Sequence, residues 1–193
     1  MELTSEERAM LAGECGSGVR QAMEIVVALG RIYGARRLMP VGSAQIAGVS
    51  YCNLGDAGLE FLSAWAATEA RTRIPTTLNP AGMDLQAWEE MGFSPSFAHR
   101  QLAVIQAYRR LGARTTCTCA PYLAGNRPAP GEHVAWAESS AVSYANSALG
   151  ARTNREGGPS ALAAAITGRT AAYGLHLDEN RRAALRVIVR CAV

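Results

Sequence analysis

The chain contains no lysine: all 19 of its basic residues are arginine. With abundant alanine and no basic block, this reads as a bias of base composition and not as the footprint of nucleic-acid binding. A net charge of +3 on 193 residues is also too small to mark a polyanion binder. Long apolar runs are missing as well, since charges interrupt each one far short of the ~20 residues that cross a bilayer. The opening MELTSEERAM is acidic and helix-like, without the basic and apolar regions of a secretion signal. These absences argue against a membrane protein and make the cytoplasm the expected compartment. No C-x-x-C and no H-x-x-x-H is present, so a complete metal site cannot be written from this chain. Five cysteines, an odd number, point to reduced thiols. Cys15, Cys52 and Cys191 are isolated and read as structural.

Against these gaps, a 49% hydrophobic content is enough to bury one substantial core, and residues 1–193 are expected to form a single α/β domain. Thr4-Ser5-Glu6-Glu7 is a capping box that opens a short helix, and Gly13 stops it. From Ser17 to Tyr33 the residues Val19, Met23, Val26, Val27 and Leu29 fall on one broad helical face. Further helices are predicted over Asp56–Glu69, from Ser94-Pro95 to Gly112, and over Ser160–Thr167. Between them RRLMPV, RTRIPTT and ARTTCTC read as strands, and ALRVIVRCAV, from Ala184 to Val193, reads as a fourth. Strands separated by helices build βαβ units, which predicts a layered parallel sheet covered by helices on both faces.

In such sheets ligands gather beyond the carboxyl ends of the strands. The predicted ends carry Ser43 and Gln45, then Thr77 and Asn79, then Cys117 and Cys119, so hydroxyl, amide and thiol groups converge on one edge. In an extended strand the two cysteines of C-x-C share a face but stand too far apart for easy joint ligation, so one ligand is expected rather than two. His133 and His176 fall in turns and are the better histidine candidates, whereas His99 sits in a solvated helix stretch.

The segment EHVAWAESSAVSYANSALGARTNRE, from Glu132 to Glu156, threads Trp136, Glu138, Ser139, Ser140, Tyr144, Asn146 and Ser147 through an apolar pattern. Buried polar groups need partners, so these residues form a network or line a site. Gly157 and Gly158 then let the backbone approach a ligand, and the helix mouth they open faces negative charge. Arg152 and Arg155 add planar donors for carboxylate or phosphate. A helix cap with an Arg-Glu ion pair accounts for the same residues without a ligand.

The run from CTCAPYLAGNRPAPGEHVAWAE through GARTNREGGPSALAAAITGRTAAYGLHLDENR, together with LTSEERAMLAGECG, VGSAQIAGVSY and IPTTLNPAGMD, resembles the aconitase X family over essentially the whole chain. The resemblance implies an aconitase-like fold and a hydro-lyase in which an iron-sulfur cluster acts as Lewis acid on a substrate hydroxyl while a base takes a proton. It implies Cys119 as a cluster ligand, with Cys117 the less secure one, and Ser43 on a substrate-side loop. Gln45 stands where many relatives are expected to carry histidine.

The block containing Asn146, Arg152, Asn154, Arg155, Glu156, Gly157 and Gly158 is implied to bind the substrate anion and organise the site. Ser43, Glu138 and His176 are the candidate catalytic groups. Family large subunits continue past the position of Val193, so the chain resembles the N-terminal part of a catalytic domain, with the remaining cluster ligands expected outside it. A small swivelling domain or subunit is the implied partner. Relatives divide between dehydration of mevalonate 5-phosphate, which the NREGGPSALAAAI form favours, and of cis-3-hydroxy-L-proline, which a GC-rich bacterial composition favours; the first is the expectation taken here. A non-catalytic anion-binding or assembly module is the alternative from another class.

Overall fold

A computed structural model describes residues 1–190 of the chain. Helix α1 (Ser5–Ala12) starts at the expected capping box: the Glu7 amide donates to Thr4 Oγ1 at 3.2 Å, and the Thr4 amide donates to the Glu7 carboxylate at 2.8 Å. Gly13 ends it in the left-handed region at φ 88°. Helix α2 (Ser17–Ile32) buries Val19, Met23, Val26 and Val27 of the expected face together with Ala22, while Leu29 at its edge is only partly buried. The remaining elements are β1 (Leu38–Pro40), β2 (Ala44–Ile46), α3 (Tyr51–Ala66), β3 (Thr76–Leu78), α4 (Pro95–Arg110), β4 (Ala135–Trp136), α5 (Ser139–Ser147), α6 (Gly158–Thr167) and β5 (Arg169–Ala171). None of the described helices is long and apolar enough to cross a membrane.

The chain is α/β, with a parallel sheet flanked by helices, and β2 lies at the centre of that sheet between β3 and β4. Its three short strands alternate cleanly. Ala44 and Ile46 of β2, Leu78 of β3 and Ala135 of β4 belong to apolar clusters that take in Leu162, Ala164 and Ala165 of α6, and Val104 and Ile105 of α4. Gln45, Thr77 and Trp136 point to the other face, where Trp136 packs with Ala141, Val142 and Ala145 of α5. One face is thus oily and the other carries amide, hydroxyl and indole. Two extended segments continue the layer by single parallel bridges, Arg114 beside Thr77 and Arg152 beside His133.

Five expectations about elements need correction. RRLMPV does contain a strand, β1, but it pairs antiparallel with β5 in a separate two-stranded sheet. The central parallel strand is Ala44–Ile46, in the stretch expected to be the loop after RRLMPV; a three-residue strand between Gly42 and Gly48 is too short to show a period. In ARTTCTC only Arg114 makes a bridge, because Cys117 adopts φ 45° and breaks the extended path. Thr116 Oγ1 takes over the ladder there, accepting from the Leu78 amide at 3.2 Å. The helix expected over Asp56–Glu69 does start after the non-helical Gly55 (φ 61°, ψ −169°), but a further helical turn from Tyr51 precedes that break and the helix ends at Ala66. Of ALRVIVRCAV, residues 184–190 form no strand, and Cys191, Ala192 and Val193 lie outside the described residues.

Candidate functional site

The strand order turns at β2, whose chain leaves toward β3 on one side while β4 lies on the other. Such a turning point opens a crevice beyond the carboxyl ends of the strands. Gln45, wholly buried on the polar face of β2, ties the segments after β3 and β4 together: Oε1 accepts from the Glu138 amide at 2.8 Å and the Ala137 amide at 3.2 Å, and Nε2 donates to Asn79 Oδ1. Asn79, the residue after β3, donates in turn through Nδ2 to Glu138 Oε2. Glu138 caps α5 and also accepts from Ser139 Oγ at 3.1 Å. Burial works to raise the Glu138 carboxyl, but the hydrogen bonds from Asn79, Ser139 and Ser140 outweigh it and hold the group below the usual carboxylate range.

Cys119 joins this edge because Thr118 is tied to β3, its amide donating to Leu78 O at 3.1 Å. The side chain of Cys119 is exposed. Partial burial raises its thiol, and the neighbouring Glu138 carboxylate raises it further. Cys117 differs: its sulfur is half-buried against the core and the Ala81 backbone, beside an open cavity of about 440 Å³ bounded by Pro80, Met83, Leu85 and Met91. The left-handed Cys117 backbone sends the two thiols to different surroundings. An amide, an ionised carboxylate, a thiol and the Ser139 hydroxyl therefore share one sheet edge. They can hold a small polar molecule, and the thiol and carboxylate are donors for a metal.

The other predicted residues are distributed differently. Ser43 is buried at the opposite, amino-terminal end of β2, where its Oγ accepts from Trp136 Nε1 at 3.2 Å. His176 lies at that end too, through His133, whose carbonyl accepts from the Gly42 amide at 2.8 Å. The two imidazoles meet at 3.0 Å between Nδ1 atoms, and His176 Nε2 is buried without a partner among the described residues. Of the three candidate catalytic groups, only Glu138 stands with Cys119.

His176 is pushed down to about 4 by burial, then by His133 and the cations Arg152 and Arg181. Because the unfolded imidazole titrates near the ordinary 6.5, the unfolded chain binds the proton first as pH falls. The stability that depends on neutral His176 is whole above 6.5 and is lost on the way down toward 4. Denaturant midpoints measured across that window are expected to fall with pH, and His176→Gln is expected to flatten the slope. An equal slope in the variant would assign the acid sensitivity to other groups.

The GARTNREGG block runs beside β4, with the Val134 amide donating to Arg152 O at 2.9 Å and the Glu156 amide to Trp136 O at 2.9 Å. Asn146 braces it: Nδ2 donates to Thr153 O at 2.9 Å, and Oδ1 accepts from the Thr153 amide at 3.3 Å and from Arg181 at 2.7 Å. Asn154 Nδ2 donates to Tyr173 O at 3.1 Å, while its Oδ1 accepts from the Leu175 amide at 2.8 Å. Arg152 pairs with Asp178 at 2.5 Å and donates to His176 O. Glu156 turns into the interior, accepting from Thr170 Oγ1 at 3.1 Å, and burial raises its carboxyl. Arg155 is exposed and makes no salt bridge among the described residues. Gly158 meets the loop after β2 so closely that a Cβ would come within 2.7 Å of Ala47 O, which brings the mouth of α6 to the carboxyl edge.

In sequence, Asn79 and Gln45 stand out as strand-end residues, with no role attached to either. Asn79-Pro80 directly after a β-prone run was the available signal. No pattern announces that Gln45 bonds to residues 34 and 93 positions away.

The sequence matches the family described as "Aconitase X first domain" over residues 1–179. The phosphomevalonate dehydratase large subunit of Methanothermobacter thermautotrophicus is 61% identical over 189 residues, covering 98% of this chain and 47% of that protein. The same subunit of Thermococcus kodakarensis is 55% identical, covering 100% and 48%. The cis-3-hydroxy-L-proline dehydratase of Pseudomonas aeruginosa is 41% identical, covering 97% and 32%. The crystal structure of Thermococcus kodakaraensis aconitase X in its holo form superposes with a TM-score of 0.88 at 57% identity, covering 95% of this chain and 45% of that one. The chain spans about half the length of the curated large subunits it matches.

Proposed function

The chain belongs to the aconitase X family, and on that premise we propose that residues 1–193 are the N-terminal part of a catalytic domain that dehydrates mevalonate 5-phosphate. The observation that carries this reading is the exposed Cys119 thiol beside the ionised Glu138 carboxylate at the carboxyl edge of the parallel sheet. Those residues suit a single-ligand share of an iron-sulfur cluster. Among the described residues no group of three His, Cys, Asp or Glu could hold a metal alone, and the remaining ligands are assigned to residues beyond those described. When bound, the cluster supplies Lewis acidity toward the departing hydroxyl.

This chain's own residues do the rest. Glu138, kept ionised by Asn79 and the two serines, is the group we assign to receive a proton at Oε1 or Oε2. Asn79 and Gln45 hold that carboxylate in place. Arg155 and the mouth of α6 are assigned to the substrate anion, while Asn146, Arg152, Asn154 and Glu156, all bonded within the protein, keep the segment beside β4 in position. Ser43 and His176, at the other end of the sheet, are assigned structural roles. A small swivelling subunit closing over the edge is the proposed partner, and the reducing cytoplasm, where thiols stay free, is the proposed compartment.

Mevalonate 5-phosphate is favoured over cis-3-hydroxy-L-proline because relatives named for the first match at 45–61% identity and those named for the second at 41% and 38%. The test is anaerobic purification of the full-length protein with its small partner, iron and sulfide analysis, and assay of both substrates. Brown protein that dehydrates only mevalonate 5-phosphate is expected. Turnover of hydroxyproline alone would overturn the substrate, and colourless, iron-free protein would overturn the hydro-lyase reading.

A further inference from the structure

Gln101 occupies a core position of α4, on the same buried face as Ala98, Val104 and Ile105, and it is wholly buried. A leucine would satisfy that face, so an amide there is informative only through its partners. It has three, all backbone. Nε2 donates to Val49 O at 3.0 Å, and Oε1 accepts from the Tyr51 amide at 2.8 Å and the Gly82 amide at 3.2 Å. Val49 and Tyr51 flank Ser50 in the loop that leaves β2, and Gly82 lies in the loop that leaves β3, three residues after Asn79. The loops meet so closely that a Cβ on Gly82 would run into the Ser50 side chain. Neither loop has a ladder partner at these atoms, and the Tyr51 amide is one of the free donors at the start of α3.

We propose that Gln101 is a positioning residue for the dehydratase: its one amide clamps the Ser50 loop to the Asn79 loop and so fixes the edge from which Asn79 holds Glu138. The inference rests on the functional reading above. It makes Gln101 the counterpart of Gln45, one glutamine joining the loops after β2 and β3, the other joining those after β3 and β4.

The test uses the full-length protein with its small partner. Gln101→Leu leaves one carbonyl and two amides without partners, and the loops are expected to move by enough to lower kcat/KM about 100-fold, mainly in kcat, with iron content unchanged. Amide hydrogen exchange at Tyr51 and Gly82 is expected to accelerate in that variant. Gln101→Glu is nearly the same shape and carries the test should Gln101→Leu fail to fold. Ionised, its carboxylate cannot donate to Val49 O; protonated, it recovers one donor and one acceptor. Its kcat/KM relative to the native protein is therefore expected to recover as pH is lowered, a rescue that a residue merely filling the core would not show. Native kcat/KM in Gln101→Leu, or a Gln101→Glu profile parallel to the native one, would overturn the proposal. Failure of the functional reading is distinguishable, because the native protein would then turn over neither substrate while the exchange contrast at Tyr51 and Gly82 persisted.

Discussion

Cys119→Ser in the full-length protein, purified without oxygen, is expected to lose most of its iron and visible absorbance and to show no measurable dehydration. Substitution at an exposed surface position with no packing role changes stability by only about 0.5 kcal/mol, so the variant should fold and melt like the native protein stripped of its cluster. A serine hydroxyl is a poorer ligand than a thiolate for iron, and among the described residues no second thiol is placed to replace it, since Cys117 is turned against the Ala81 backbone. The parallel variant Cys117→Ser is expected to keep its iron. Full cluster content in Cys119→Ser would remove Cys119 from the ligand set and, with it, the reason for locating the reaction at this edge.

The second large effect is expected at Glu138. Glu138→Gln keeps the shape and the capping position at α5 but removes the charge, and the loss of a positioned proton acceptor is expected to lower kcat about 100- to 10,000-fold. The sign of the pH dependence follows from the depressed carboxyl. Glu138 stays ionised until the pH falls below the ordinary 4.5, so the acid limb of the native kcat/KM profile due to this group should lie under that value and vanish in the variant. The substitution also withdraws the negative charge that raises the Cys119 thiol. After the metal is removed by chelation, alkylation of Cys119 should accordingly accelerate at lower pH in Glu138→Gln than in the native protein. A kcat within a few-fold of native would exclude Glu138 as the proton acceptor, and an unshifted alkylation profile would separate it electrostatically from Cys119.

Local chemistry was legible in the sequence wherever a residue acts on its own neighbours. Thr4 and Glu7 cap α1, Pro95 starts α4, and Gly13 ends a helix, all through contacts within a few positions. The family pattern likewise singled out Cys119 and the GARTNREGG block. What the sequence did not disclose depends on long-range pairing. Ala44–Ile46 becomes the central strand only because Thr76–Leu78 and Ala135–Trp136 line up beside it, and three residues cannot announce a period.

The same physics sorted the candidate site. Asn146, Arg152, Asn154 and Glu156 look in sequence like a row of ligand-binding groups, yet backbone carbonyls and amides, Asp178 and Thr170 already engage them. Ser43 and Glu138 look equally available, yet they stand at opposite ends of the parallel strands. Side-chain type and local spacing decided which residues could do chemistry; strand order, burial and hydrogen bonds between residues as far apart as Gln45 and Glu138 decided which of them face one another. A parallel sheet gathers only the residues at its carboxyl ends, and only the folded chain says where those ends are.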